Sequence, residues 1–177
     1  MELRILDKEF ELFISENDIN YALDRLALEI LEKIGSDKLT FICVLKGSFM
    51  FCADLMKRLP AQVCVEFVFA KSYEGLRSTG NVRLSRIHKK TLQGRHVIIV
   101  EDVVDSGLTV NALAKELDTP DVTSLSVCTL LFKPNAYRGK IKIDFVGFEI
   151  PNYFVVGYGL DYYGEGRGLR SIYKIKT

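Results

Sequence analysis

The sequence predicts an α/β fold, in which a mainly parallel central sheet is flanked by helices. Two observations lead to this prediction. Short, continuous apolar runs alternate with stretches of helical periodicity through the middle of the chain, and that order is typical of βαβ units. The chain also has 177 residues, a length that suits one domain with a complete hydrophobic core. We therefore expect residues 1–177 to form a single domain.

Three segments are predicted to be helices. Ser15 begins a capping box in which Asp18 takes the place of the usual Glu, and apolar residues then recur at helical spacing as far as Gly35. The other two helices are predicted at Phe49–Leu59, directly before Pro60, and at Leu108–Leu117.

Five apolar segments are predicted to be strands: Leu39–Leu45, Val63–Ala70, Val97–Val104, Val122–Phe132 and Ile141–Phe148. The Gly- and Ser-containing segment Lys71–Arg83 is predicted to be a loop. The Gly- and Tyr-rich part from Pro151 onward is predicted to be a loop-rich edge or lid. Ligands of open parallel sheets bind beyond the carboxyl ends of the strands, so we expect the site after Leu45, Ala70, Val104 and Phe132.

The composition argues against several other classes of protein. A formal net charge of +1 does not fit a strongly basic nucleic-acid binder. The 4 cysteines form no CxxC pair and there are only 2 histidines, so we expect buried free thiols in a reducing cytoplasm and no zinc site. The first fifteen residues mix charges with apolar residues, unlike a signal peptide. No apolar run approaches the roughly 18 residues that span a membrane.

The segment Glu101–Thr109, EDVVDSGLT, carries the strongest chemical signal. It leaves an apolar strand and enters a helix, whose first N–H groups and positive dipole end favour phosphate binding. Gly107 allows close approach of the backbone. The acids Glu101 and Asp102 suit a ribose diol or Mg²⁺. Any one acid alone is more simply a helix cap or a surface residue, but the whole pattern indicates a ligand such as phosphoribosyl diphosphate.

This segment resembles the phosphoribosyl-diphosphate loop of type I phosphoribosyltransferases, and most closely that of the hypoxanthine-guanine branch. The family often has Thr where Ser106 stands, and some members have Lys where Leu108 stands. The resemblance implies the type I fold, with a small loop-rich hood formed by the N- and C-terminal segments, and Mg²⁺ as cofactor. It also implies that phosphoribosyl and 5-phosphate binding falls to Glu101, Asp102, Asp105, Ser106, Gly107, Leu108 and Thr109.

Two further segments resemble the parts of the family that handle the diphosphate. Val44–Ser48, VLKGS, resembles the diphosphate-binding loop, which implies that Lys46 and Gly47 bind diphosphate and that the Leu45–Lys46 peptide is cis. Arg167, in a Gly-rich run, resembles the arginine that assists them. Outside this resemblance a Lys-Gly after a strand is more simply an exposed turn.

The remaining resemblances concern the lid and the purine. Ser72 and Tyr73 begin a segment similar to the loop that closes over the active site. Lys133 resembles the lysine that donates to the purine O6. In YFVVG, Phe154 would stack on the base and Val155 would face its C2 edge. Asp161 resembles an acid near the base that also contacts Mg²⁺, together with Glu101 and Asp102.

The resemblance implies a purine salvage reaction in which hypoxanthine, and we expect guanine, reacts with phosphoribosyl diphosphate to give the nucleoside monophosphate and diphosphate. Asp105 would act as general base near the purine N7. Alternatives are a xanthine-preferring transferase and a nucleic-acid-binding regulator that senses phosphoribosyl diphosphate on the same fold. Relatives form dimers or tetramers, so a homodimer or homotetramer is expected. No nucleic-acid or membrane partner is expected.

Overall fold

A computed structural model describes residues 2–72 and 82–176 of the chain, which contain ten strands, three α-helices and one short 3-10 helix. The elements, in chain order, are β1 (Glu2–Ile5), β2 (Lys8–Ile14), α1 (Glu16–Lys33), β3 (Leu39–Leu45), α2 (Phe49–Met56), β4 (Cys64–Ser72), β5 (Val82–Leu84), the 3-10 helix Lys89–Leu92, β6 (His96–Val104), α3 (Leu108–Leu117), β7 (Ser124–Phe132), β8 (Phe145–Glu149), β9 (Val155–Val156) and β10 (Ile172–Ile175).

The larger sheet confirms the predicted α/β class. Its strand order is β5-β4-β3-β6-β7-β8. Five of these strands run parallel to one another: β4, β3, β6, β7 and β8. Only β5 runs antiparallel, against the end of β4. Helices α1 and α2 pack on one face, and α3 packs on the other. Both faces of the central strands are therefore buried, which explains their continuous apolar sequences.

A second sheet joins the two ends of the chain. It has four antiparallel strands in the order β1-β2-β10-β9. Its apolar centre is formed by Phe10, which is fully buried, together with Ile5, Val156 and Tyr173. We call residues 2–14 and 151–176 the hood. That residues 1–177 form one domain, with a hood made by the two terminal segments, stays a prediction.

Most predicted elements are confirmed, and α1 has the predicted capping box between Ser15 and Asp18. The C-terminal part is more ordered than predicted, because β9 and β10 pair with each other and with β2. These strands contain two and four residues, too few to show a clear period. Their pairing partners lie far away in sequence, so no local pattern revealed them.

Four predicted details were wrong. Helix α2 ends at Met56 because the residues before Pro60 turn out of the helix. Both ends of the predicted Lys71–Arg83 loop are strands, with Ser72 paired to Val82. The strand predicted to begin at Ile141 begins at Phe145, since Ile141 itself packs against the α3-side core. Cys64, predicted to be buried, is exposed at the start of β4.

No helix within residues 2–72 and 82–176 is both long and apolar enough to cross a membrane.

Candidate functional site

The centre of the parallel sheet brings three of the predicted loops together. Strands β3, β6 and β7 are neighbours, so the loops that follow their carboxyl ends lie side by side. Val104 pairs with Phe132 at the ends of β6 and β7, and the next backbone N–H, that of Lys133, donates to the carbonyl of Val104. We call residues 46–48, 101–109 and 133 the sheet edge.

Asp105 and Lys133 form an ion pair at the sheet edge. The Lys133 ammonium lies 3.0 Å from Asp105 Oδ2, and the Lys133 side chain is only 11% exposed while that of Asp105 is 49% exposed. A cation this buried requires a partner. The predicted general base and the predicted O6 donor are thus in direct contact, although they lie 28 residues apart in the chain.

The turn from β6 into α3 has the geometry of an anion site. Gly107 is the N-cap of α3 with φ +83°, and no side chain in the described residues caps the helix. Its first N–H groups are therefore available to a ligand. A Cβ on Gly107 would overlap the ring of Tyr137, so both the backbone angle and the packing require glycine. Residues 101 and 103–110 line a cavity of about 90 Å³ here.

Glu101 and Asp102 are adjacent carboxyl groups in a poorly solvated place. Burial, and then the charge of Asp102, raise the pKa of Glu101 well above its usual range. Burial likewise raises the pKa of Asp102, although the Val103 N–H bonds to it at 2.9 Å and the charge of Arg167 opposes the shift. A divalent cation would relieve this accumulation of negative charge.

The two carboxyl groups are suited to a magnesium ion whose other ligands come from a substrate and from water. Among residues 2–72 and 82–176 there is no group of three or more acids, histidines or cysteines placed to hold a metal. Mg²⁺ commonly uses one or two carboxylates together with water and substrate phosphates. The donor set of Glu101 and Asp102 suits that kind of binding.

The predicted diphosphate loop lies directly against Asp102. Ser48 is buried and its hydroxyl donates to the carbonyl of Val44 at 2.6 Å. The Leu45–Lys46 peptide is cis, as the resemblance implies. A Cβ on Gly47 would overlap the Asp102 carboxylate, so glycine permits this close approach. Lys46 has an exposed side chain.

The hood contributes a second ion pair, between Asp161 and Arg167. The Arg167 guanidinium lies 2.5 Å from Asp161 Oδ1 and also donates to the carbonyl of Gly159 at 2.6 Å. The N–H of Gly164 donates to Asp161 at 2.7 Å. Asp161 is therefore engaged within the hood and does not join Glu101 and Asp102 in one three-carboxylate group.

Phe154 and Val155 occupy different environments at the start of β9. Phe154 is 45% exposed, whereas Val155 is 7% exposed. The Phe154 ring contacts Tyr162 edge-on, at 5.7 Å between centroids, and lies 6.4 Å from Phe10. Phe154 thus keeps open surface while its position is supported by other rings.

The predicted lid is described only at its first residue. Ser72 is the last residue of β4, and Tyr73 lies outside the described residues.

Sequence analysis missed two tyrosines that pack against the site. Tyr137 supports Gly107 from a loop after β7, and Tyr158 connects the hood to α2 through a bond to Asp54. Tyr137 lies outside the segments that carry the resemblance, and Tyr158 lies directly after YFVVG but was given no role of its own. An aromatic side chain by itself indicates a residue of the hydrophobic core as readily as a residue of the site.

Comparison with known proteins places the chain in a family. The phosphoribosyl transferase domain matches residues 15–163. A hypoxanthine phosphoribosyltransferase of Haemophilus influenzae is 37% identical over 93% of this chain and 94% of its own length. A hypoxanthine-guanine-xanthine phosphoribosyltransferase of Tritrichomonas foetus is 35% identical over 97% of this chain and 94% of its own length. The solved hypoxanthine phosphoribosyltransferase of Staphylococcus aureus has a TM-score of 0.87 at 35% identity, covering 94% of this chain and 91% of that one.

Proposed function

Because the chain belongs to the phosphoribosyl transferase family, we propose that it is a purine salvage transferase that joins hypoxanthine to phosphoribosyl diphosphate. The products are inosine monophosphate and diphosphate. Guanine is a second substrate and gives guanosine monophosphate. The observation that carries this proposal is the Asp105–Lys133 pair, which lies beside the uncapped N-terminus of α3.

The sheet edge carries the chemical step. Lys133 donates to the purine O6, and Asp105 accepts the proton at N7 as N9 attacks C1 of the ribose. Their contact at 3.0 Å keeps both groups near one purine ring. Displacement at C1 builds positive charge on the ribose, which the carboxylates of Glu101 and Asp102 stabilise while they bind the ribose diol.

The 5-phosphate binds at the first turn of α3. The ligands proposed for it are backbone N–H groups of residues 106–109 and the hydroxyls of Ser106 and Thr109. Leu108 brings no cationic side chain to this turn, so the backbone and the helix dipole supply the attraction. Gly107 permits the close approach that this binding requires.

The leaving diphosphate is bound from both sides of the cleft. Lys46 and Gly47 contribute from the loop after β3, and Arg167 contributes from the hood. Glu101, Asp102 and Asp161 would hold Mg²⁺ together with the substrate, and the bound ion would offset the charge of the departing diphosphate. Release of Arg167 from Asp161 would make its guanidinium available to the diphosphate.

The hood and the lid complete the site around the base. Phe154 stacks on the purine through its open face, and the backbone of Val155 meets the C2 edge near Asp161. The segment that begins with Ser72 and Tyr73 closes over the reaction and excludes water.

Steady-state kinetics with hypoxanthine, guanine and xanthine, each with phosphoribosyl diphosphate and Mg²⁺, test this function. We expect the highest kcat/KM with hypoxanthine, lower activity with guanine, and none without Mg²⁺. Preference for xanthine would select the alternative acceptor. Absence of transfer to any of the three bases would contradict the proposal.

One feature favours the alternative of a nucleic-acid-binding regulator. A cavity of about 960 Å³ beside β5 is lined in part by the cationic residues Arg86, Lys89, Lys90 and Lys115. Lys89 is paired with Glu116 at 2.9 Å, and the net charge of the chain is only +1. We therefore favour the transferase. Salt-dependent binding of RNA or DNA by a chain without transferase activity would reverse this choice.

We also propose a homodimer or homotetramer that works in the cytoplasm. Phe67 and Phe69 alternate with the buried Val68 on β4 and therefore lie on the same sheet face as α2, where Phe49 is also exposed. These three exposed aromatic side chains on one face suit contact with a second copy. The exposed free thiol of Cys64 suits a reducing compartment. Light scattering should give the mass of two or four chains, and Phe67→Asp should lower it.

A further inference from the structure

Three consecutive residues of the hood have left-handed backbone angles. Gly157, Tyr158 and Gly159 have φ values of +101°, +50° and +100°. Such angles suit glycine, but they are unfavourable for a residue that carries a side chain. Tyr158 therefore keeps this conformation because contacts around it hold it there.

Tyr158 is held by a hydrogen bond that joins the hood to the parallel-sheet part of the chain. Its side chain is buried, and its hydroxyl donates to Asp54 Oδ2 of α2 at 2.7 Å. Burial, and then this bond to Asp54, raise the pKa of Tyr158, so the hydroxyl keeps the proton that it donates. The other oxygen of Asp54 pairs with Lys57 at 2.7 Å.

The next residue, Gly159, touches the groups proposed to bind diphosphate. A Cβ on Gly159 would overlap the carbonyl oxygen of Gly47. The Gly159 N–H donates to the carbonyl of Arg167 at 2.9 Å, and the Arg167 guanidinium donates back to the Gly159 carbonyl at 2.6 Å. The turn that Tyr158 anchors is therefore in contact with both sides of the proposed diphosphate site.

The base-binding part of the hood has a separate anchor. The carbonyl of Phe154 accepts from the N–H of Ile175 at 3.0 Å, and Val155 pairs with Lys174 of β10. Tyr158 takes part in neither of these contacts, so we expect a change at Tyr158 to preserve them.

We propose that Tyr158 and Asp54 are a positioning pair that holds Gly159 against Gly47 and so sets the affinity for the diphosphate group of phosphoribosyl diphosphate. The inference rests on the proposed function and deepens it. It predicts that loss of the pair weakens phosphoribosyl-diphosphate binding selectively, while the affinity for hypoxanthine is retained.

The test compares KM values for the two substrates in a small set of variants. Tyr158→Phe keeps the ring and removes the hydroxyl. It should raise the KM for phosphoribosyl diphosphate about 5- to 10-fold, the effect of one lost hydrogen bond, and should leave the KM for hypoxanthine within about twofold. Asp54→Ala should behave in the same way, and the double variant should lose no more than either single variant, because both remove one interaction.

Two further variants separate positioning from a general structural effect. Asp54→Asn keeps an acceptor oxygen for Tyr158 and should stay close to the wild-type KM. Lys57→Ala removes the other partner of Asp54 and should also leave both KM values unchanged. Should Asp54→Ala fail to fold, Tyr158→Phe and Asp54→Asn still test the pair.

The proposal is overturned if Tyr158→Phe leaves the KM for phosphoribosyl diphosphate unchanged, or if it raises both KM values equally. It is also overturned if Asp54→Asn is as impaired as Asp54→Ala. Wild-type activity with hypoxanthine is measured first, so failure of the proposed function is recognised separately from failure of the pair.

Discussion

The sheet edge and the hood both contribute to the site, but they are built in different ways. At the sheet edge, residues 101–109 form a continuous strand, turn and helix, and both faces of the strand are buried. In the hood, Phe154 and Val155 lie at the start of a two-residue strand, and Asp161 and Arg167 follow it in a segment with several left-handed angles. The hood is held in place by distant partners such as Asp54. This difference suggests that the chemical step belongs to the sheet edge, whereas the hood adjusts affinity.

We expect Asp105→Asn, at the sheet edge, to have the strongest effect on activity. An amide cannot accept the N7 proton, so the rate of single turnover at saturating substrates should fall about 10²- to 10⁴-fold. The matched change in the hood, Asp161→Asn, should mainly raise the KM for phosphoribosyl diphosphate. Equal losses of the single-turnover rate in the two variants would remove the distinction between the regions.

The next prediction concerns the loss of stability when one glycine from each region is replaced by alanine. Gly107 and Gly164 have similar φ values, +83° and +92°, but a Cβ overlaps Tyr137 at Gly107 and meets nothing within 4 Å at Gly164. Alanine at Gly164 should lower the free energy of unfolding by about 1 kcal/mol through the backbone alone. Alanine at Gly107 should lower it by about 3 kcal/mol because overpacking adds to that cost. Chemical denaturation measures both free energies of unfolding. Equal losses in the two variants would show that the Tyr137 ring moves aside without cost.

A smaller effect is expected from the aromatic residues of the hood. Phe154→Leu should raise the KM for hypoxanthine about tenfold, since stacking on a base contributes about 1–3 kcal/mol. The KM for phosphoribosyl diphosphate should not change. Tyr163, which is 84% exposed, provides the control, and Tyr163→Leu should leave both values unchanged. A rise in both KM values for Phe154→Leu would instead indicate that the whole hood had shifted.

The smallest expected effect is a gain of stability at the sheet edge. Burial beside Asp102 raises the pKa of Glu101 above its usual value of 4.5. At a pH above 4.5 the unfolded chain therefore ionises this group more readily than the folded chain does, and the free energy of unfolding falls. Glu101→Gln removes this cost and should stabilise the chain by about 1 kcal/mol at neutral pH while it lowers activity.

The pH dependence of this gain tests its cause. Below pH 4.5 the carboxyl group is protonated in both the folded and unfolded wild type, so the advantage of Gln should vanish there. It should grow as the pH rises above that value, because the unfolded chain ionises first. Thermal unfolding of both proteins across this range, without Mg²⁺, measures the difference. A gain that is independent of pH would exclude burial of charge as its source.

Local sequence patterns were sufficient to predict the parallel-sheet part of the molecule and the site segment within it. Strands such as Leu39–Leu45 are buried on both faces, so the requirement for apolar side chains is visible in a short local run. The turn at Gly107 and the helix that follows it are likewise local, because a left-handed N-cap and an open helix N-terminus depend on neighbouring residues. The resemblance added the roles of Lys46, Lys133 and Arg167.

The construction of the hood and the contacts between the functional groups depend on long-range packing, which local sequence patterns do not reveal. The pairing of β9 and β10 with the N-terminal hairpin, the contact of Tyr158 with Asp54 and the contact of Asp105 with Lys133 join residues far apart in the chain. Such contacts are formed when distant segments bury apolar surface together. The local hydrophobic periodicity of the sequence therefore does not indicate them. The sequence could therefore identify the chemical groups, whereas their spacing and their mutual charge effects arise from packing.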